Sequence, residues 1–320
     1  MHFTHELKKF VCIGHITDDT KPISRLGGSV SYSAIAAKRL GCDTFIITKC
    51  PKNHKYIDQL TKLGITVHVL PSNLSTITTF KNVYSEQGKR TQECPQQQEE
   101  INICDFEKFP KDILQDATIL AAPVIGEIDT RLFPLLSRYG RVVVTPQGYF
   151  RNITATSEVK QKRWNCNPKD ISTTHTIILS DEDITRNGKL DKDFLNELRK
   201  NSNILILTIG AKGSIVYTKK NTIRTTAFPL EKNEIKDFTG AGDTYAVAFV
   251  TQFALTHNTQ EASVNANFYA ALKIIGFGGI GINSIPTKKQ IQKFLSNHPS
   301  RISNYLKSNS SAAIRFFESN

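Results

Sequence analysis

Short runs of β-branched and other apolar residues recur along the chain with helix-compatible stretches between them, and this alternation narrows the choice of fold more than any other feature. Residues 9–16, 44–48, 117–121, 142–145, 176–179 and 204–209 each read as a short apolar strand. Residues 31–40, 130–138 and 191–200 read as helices between them. Strands that are apolar throughout and alternate with helices predict an α/β fold, a mainly parallel sheet covered by helices on both faces. Beyond residue 209 the pattern predicts a hairpin over 214–218 and 222–226, then helices over 241–253, 260–275 and 287–295.

The alternation breaks once. Residues 66–70, 75–84 and 89–94 are consecutive strand-like runs, the last two flanking the turn Ser85-Glu86-Gln87-Gly88. Along 78–84 the two-residue period puts Thr79, Lys81 and Val83 on one face and Phe80, Asn82 and Tyr84 on the other. A meander inserted in an α/β domain covers something, and a substrate cleft is the natural candidate. Residues 15–26 and 66–100 are therefore expected to form a small β-sheet lid on a single domain spanning 1–320. Phe80, Asn82 and Tyr84 are expected to shape the acceptor pocket, without the sequence saying which of them points inward. Residues 300–320, rich in serine and asparagine, are expected to be a polar C-terminal tail.

The six cysteines form no CxxC pair, which argues against a disulfide framework and a zinc site, and Cys12 and Cys42 are expected to be buried. None of the eight histidines has metal-ligand spacing. No stretch reaches the roughly 18 apolar residues of a membrane span, and the first apolar run is short for a secretion signal, so a cytoplasmic protein without a membrane partner is expected. Lysine and arginine number 41 against 29 acids, a formal charge of +12, but they are dispersed and accompany no nucleic-acid motif. The surface suits nucleotide phosphates, and no nucleic-acid partner is expected. A nucleic-acid role would show itself by affinity that falls steeply with salt.

Asp237-Phe238-Thr239-Gly240-Ala241-Gly242-Asp243-Thr244 is the most informative stretch. Two glycines leading into an apolar helix place free backbone N–H groups and the positive end of a helix dipole at one point, a site for an anion. Asp243, in the first turn, adds a carboxylate beside it. Next to a bound phosphoryl group that carboxylate can accept a proton from an attacking hydroxyl. Taken alone, Asp237 and Asp243 could equally be turn and helix caps.

Gly240-Ala241-Gly242-Asp243, with Asp237 and Thr239 before it, resembles the C-terminal signature of the PfkB or ribokinase-like family of carbohydrate and nucleoside kinases. Leu26-Gly27-Gly28-Ser29, followed by an alanine-rich helix ending at Leu40-Gly41, is similar to the family's first signature. Asp19 lies where the family places a carboxylate for substrate hydroxyls, and Thr208-Ile209-Gly210-Ala211-Lys212-Gly213 resembles its nucleotide-binding turn. The resemblance runs from about Gly14 to Pro286. It implies a doubly covered sheet with a β lid, and transfer of the γ-phosphoryl of ATP to an alcohol. Asp243 would act as base, with the N–H groups of Gly240, Ala241 and Gly242 stabilising the transferring group. It implies Asp19, Gly27, Gly28, Tyr32 and Asn82 on the acceptor side, and Thr208, Gly210, Gly213, Thr239, Gly278 and Gly279 on the nucleotide side. Mg2+ would travel on the nucleotide phosphates. The family's lids imply a monomer or a homodimer paired through the lid.

The chain departs from the family pattern in two places. Tyr32 stands where the first signature usually has asparagine, so a furanose contact is in doubt. Ser180-Asp181-Glu182-Asp183 stands for the family's N-x-x-E element, leaving Asp183 as a shortened candidate to support the metal through water. Pro146-Gln147-Gly148-Tyr149-Phe150-Arg151 is similar to a segment of plant inositol kinases in this family, which favours a polyol such as inositol; it also reads as a plain turn after a strand. Gly276-Phe277-Gly278-Gly279-Ile280-Gly281 matches a dinucleotide fingerprint in letters, but it follows a helical stretch and lacks the acid about 20 residues on. No Walker-type P-loop is present. The rival to a kinase is a catalytically silent nucleotide- or sugar-binding regulator, suggested by Tyr32 and Ser180 and opposed by the intact anion hole and base.

Overall fold

The structure is a computed structural model that describes residues 9–20, 24–84, 90–107, 109–310 and 313–314. Nine strands form the large sheet: β1 (Lys9–Ile13), β4 (Asp43–Thr48), β5 (Thr66–Val69), β8 (Thr118–Ala121), β9 (Arg141–Val144), β12 (Thr176–Ser180), β15 (Ile204–Thr208), β16 (Ser214–Thr218) and β17 (Thr222–Thr225). Their spatial order is β17-β16-β15-β12-β9-β8-β1-β4-β5. All are parallel from β5 through β15, and the β16–β17 hairpin extends that edge antiparallel. The chain runs outward from β1 in both directions. The crevice beyond the C-terminal ends of β1 and β8 is thus a topological switch point, where open α/β sheets bind ligands.

Alternate residues of β1 serve opposite faces: Phe10 and Cys12 join one core cluster, Val11 and Ile13 the other. The first cluster takes in the helices Ser29–Arg39, Ala241–Thr256 and Thr259–Ile275. The second packs under Lys192–Asn201 and the segments carrying Phe133 and Tyr149. Cys12 and Cys42 are buried, and every cysteine among the described residues is free. Trp164 is a core residue, stacked on Tyr149 with ring centroids 4.8 Å apart. No helix among the described residues is long and apolar enough to cross a membrane.

The small sheet has the order β3-β2-β6-β7, built from β2 (Thr17–Asp19), β3 (Arg25–Gly27), β6 (Thr78–Tyr84) and β7 (Arg90–Gln96). It rises directly from the C-terminal end of β1. Two short hairpins complete the strands, β10 (Arg151–Ile153) with β11 (Val159–Gln161) and β13 (Thr185–Arg186) with β14 (Lys189–Leu190). The β10–β11 hairpin meets the small sheet through Cys94 N–H, which donates to Ser157 O at 2.8 Å.

Two expectations are corrected. Residues 66–70 are not part of the lid: Thr66–Val69 pairs in parallel with β4 at the edge of the large sheet. An unforeseen helix, Lys55–Lys62, supplies the crossover, capped by the His54 imidazole accepting from Tyr56 N–H at 3.3 Å. The third meander strand is therefore an α/β strand whose helix has a mostly polar sequence. Nor is the tail loose from residue 300: Pro299–Ser308 is a helix. Tyr305 is 2% exposed, donates to Val264 O at 2.9 Å and packs edge-on against Phe228. Ile302, Tyr305 and Leu306 lie on one helical face, a stripe diluted by the serines and asparagine around it. The expected turn at 85–88 lies outside the described residues.

Candidate active site

The Ala241–Thr256 helix begins after Gly240, whose φ of 81° is left-handed. A Cβ at Gly240 would lie 2.1 to 2.6 Å from atoms of the Tyr32 ring, so only glycine lets the turn settle there. Thr244 N–H donates to Gly240 O at 2.9 Å, and Ala241 N–H donates to Phe238 O at 3.0 Å. This corrects one expected donor, because the Ala241 N–H is spent on closing the turn. Among the described residues, the N–H groups of Gly240, Gly242 and Asp243 have no protein acceptor. A Cβ built on Gly242 meets nothing within 4 Å, so the approach to these donors is open.

Asp243 accepts a short hydrogen bond from Ser29 Oγ. Ser29 opens the Ser29–Arg39 helix behind Gly28, whose φ is 89° and whose Cβ would lie 2.6 Å from His15 O. Two helix N-termini therefore converge on one carboxylate. Burial drives Asp243 upward, while the Ser29 hydrogen bond and the charges of Arg151 and Lys273 pull it back, leaving it at about 6. A carboxylate poised there is ionised at neutral pH and basic enough to take a proton.

On the lid side, Asp19 lies over Gly27, where a Cβ would come within 2.5 to 2.6 Å of its carboxylate atoms. Thr17 Oγ1 donates to Asp19 at 3.2 Å. Tyr32 is 2% exposed, and its hydroxyl finds no hydrogen-bond partner among the described residues. It faces Gly281, with Arg25 alongside, whose Nε is also buried without a partner. Burial raises Tyr32, and the charge of Asp19 adds to the effect. Asn82 is half-buried and accepts from Gln92 Nε2 across the β6–β7 pair at 3.3 Å.

On the opposite side, β15 ends at Thr208, in register with Ser180 on β12, and Thr208 Oγ1 donates to Leu179 O at 3.3 Å. Gly210 opens onto free space, whereas a Cβ on Gly213 would strike the backbone of residues 225–227, so Gly213 serves packing. Asp237 anchors the rest. Its carboxylate accepts from Thr239 N–H at 2.9 Å and Gly281 N–H at 2.7 Å, and pairs with Lys273 at 3.2 Å. Burial works to raise Asp237, but these partners prevail and hold it at about 2. Thr239 thus contributes its N–H to the turn. Gly279 N–H donates to Gly276 O at 2.7 Å, and the whole 276–281 loop follows a helix, unlike a dinucleotide fingerprint. Asp183 closes a capping box on Ser180 N–H at 2.9 Å. Burial raises it, against the pull of that bond and of Arg151. Among the described residues no group of three or more His, Cys, Asp or Glu is placed to hold a metal ion.

Sequence reasoning missed Ser29, Arg25, Arg151 and Lys273 as site residues. Arg151 donates to Val124 O at 3.0 Å, and its guanidinium lies 5.9 Å from the centroid of the Phe80 ring on the lid. Gly148 explains the preceding segment: a Cβ there would lie 2.6 Å from Pro123 backbone, so glycine lets residues 146–150 seat against that loop. The signal for Lys273 was a charge within Ala270-Ala271-Leu272-Lys273-Ile274-Ile275, an otherwise apolar run.

Residues 180–287 match the pfkB family carbohydrate kinase domain. Among solved structures, a sulfate complex of a pyrophosphate-dependent kinase in the ribokinase family is 20% identical, with a TM-score of 0.70 over 86% of this chain and 98% of that one. A pyrophosphate-dependent kinase in the ribokinase family complexed with a pyrophosphate analog and myo-inositol, also 20% identical, has a TM-score of 0.69 over 86% of this chain and 98% of that one. Arabidopsis thaliana ribokinase complexed with ribose and ATP is 14% identical, with a TM-score of 0.64 over 90% and 99%. No curated protein sequence matches the chain. Likeness at these identities establishes the ribokinase fold. The chain thus has that fold, and its residues 180–287 are similar to the pfkB carbohydrate-kinase domain.

Proposed function

We propose that the protein transfers the terminal phosphoryl group of ATP to a hydroxyl of a small sugar, polyol or nucleoside, with Asp243 as general base. The observation that carries this reading is the pairing of Asp243, held at about 6, with the open N–H groups of Gly240 and Gly242 at the same helix start. A hydroxyl placed against Asp243 loses its proton to the carboxylate as its oxygen bonds to phosphorus and the bond to the departing diphosphate breaks. The N–H groups meet the charge that develops on the transferring group, and the helix dipole adds to them. Arg151 and Lys273 contribute fixed positive charge nearby. A magnesium ion would enter on the donor phosphates and neutralise their charge, with Asp183, which caps Ser180 at the β12 end, as the carboxylate to support it through water.

Asp19 is the acceptor-side carboxylate of this reading, and inositol is the first acceptor to try. The 146–151 segment and the myo-inositol bound by one structural neighbour both favour it. The direct test is release of ADP or phosphate-transfer product with Mg-ATP, and in parallel with pyrophosphate, across sugars, polyols and nucleosides. Turnover with one acceptor is expected. Donor binding without turnover on any acceptor would favour the regulatory protein instead.

A further inference from the structure

We infer that Lys273 is a positioning residue for the donor side of the site: its buried ammonium is a built-in cation that locks the anion-binding turn, an inference that rests on the kinase reading above. The side chain of Lys273 is 0% exposed. Its Nζ donates to Asp237 O at 2.9 Å and to Asp237 Oδ2 at 3.2 Å. The same carboxylate holds Thr239 N–H, one residue before Gly240, and Gly281 N–H on the neighbouring loop. Ile274 O, next to the lysine, accepts from Lys236 N–H at 3.0 Å and Asp237 N–H at 3.3 Å. Three segments therefore meet at one ammonium–carboxylate contact: the entry to the glycine turn, the end of the Thr259–Ile275 helix, and the 276–281 loop. A second route reaches the same turn, because the ammonium lies 5.9 Å from the centroid of the Tyr32 ring on which Gly240 rests.

Without the ammonium, the Asp237 carboxylate and carbonyl oxygens would share a half-buried space with no cation between them, and the loop would open to solvate them. Stability alone does not require an ion pair, since an apolar pair of the same volume often serves as well. What the pair supplies is a fixed orientation of Asp237 and a positive charge beside the entry to the glycine turn. With Lys273 paired to it, Asp237 is not left as a ligand for an added monovalent ion.

Lys273→Met tests this. Its kcat/KM for the donor is expected to fall about 10- to 100-fold, the scale of a small misplacement of reacting groups. The acceptor KM should stay close to the parent value, and in Lys273→Ala, which empties the side-chain space, methylammonium should restore part of the rate where tetramethylammonium does not. Calorimetric binding of a non-hydrolysable ATP analogue, or of pyrophosphate, reads the same lock without any acceptor. A folded variant with unchanged donor affinity and turnover overturns the inference. A parent protein without turnover on any acceptor sinks the kinase reading, while a weakened donor affinity of the variant would still support the lock. Should Lys273→Met fail to fold, the parent decides: its donor affinity and rate should be the same in potassium and tetramethylammonium salts, and several-fold activation by potassium would contradict a built-in cation.

Discussion

Gly240 and Gly242 stand two residues apart and answer to different demands. Gly240 has a left-handed φ and no room for a Cβ against Tyr32, so Gly240→Ala should cost about 1–3 kcal/mol in backbone strain alone and lower the melting temperature as well as activity. Gly242 sits in helical conformation with open space above it. Gly242→Ala should raise stability by about 0.4–1 kcal/mol while lowering kcat/KM, because the new methyl group stands where the donor approaches. Thermal melts and initial rates on the two variants separate a glycine kept for folding from one kept for ligand. Both glycines and Asp243 were legible in the sequence, as types that an anion-binding helix start requires. Ser29 and Lys273 were not, because they act on Asp243 and Asp237 from helices far away in sequence. The Ala241 donor was misread for a local reason: a turn closing on Phe238 O uses that N–H, and the letters of the motif do not show the closure.

At the scale of elements, the small sheet is coupled to Asp243 through one arginine. Arg151 leaves the 3-10 turn behind β9, bonds Val124 O, lies over Phe80 of β6 and pulls Asp243 downward. Arg151→Met removes a charge that favours the ionised carboxylate, so the acid limb of kcat/KM against pH should move above its parent position near 6. Ser29→Ala should shift the limb in the same direction by removing a donor to Asp243, and Lys273 remains the other cation acting on the carboxylate in both variants. A limb that stays in place in both variants would show that the titrating group is not Asp243. The parallel strands and their helices were readable from alternation. The Lys55–Lys62 helix was not, because only Tyr56 and Leu60 of its eight residues are buried and its remaining face is polar. Without that crossover, β5 looked like a lid strand.

For the whole molecule, the fold brings the small sheet, Asp243 and the glycine turns to one end of the large sheet from positions spread over most of the chain. The C-terminal helix braces that arrangement from behind, since Tyr305 rests on Phe228 and bonds Val264 O of the Thr259–Ile275 helix that carries Lys273. Tyr305→Ala should cost about 3–5 kcal/mol, the range for truncating a buried large aromatic, and chemical denaturation would measure it. Composition hid this helix, since its serines suggested a loose tail while its apolar stripe carried the packing. Asp243 also has a price in stability. Its folded pKa, about 6, lies above the ordinary carboxylate value, so the protonated form stabilises the fold and that advantage is lost as pH rises through 6. Asp243→Asn should therefore raise the melting temperature relative to the parent, and by more at pH 8 than at pH 5. The role of Asp243 is decided by kcat/KM against pH for the parent and for Asp243→Asn, with the acceptor found in the panel. An acid limb near pH 6 is expected in the parent, and a loss of about 10²–10⁴ in rate in the variant. Equal rates in the two proteins would contradict it.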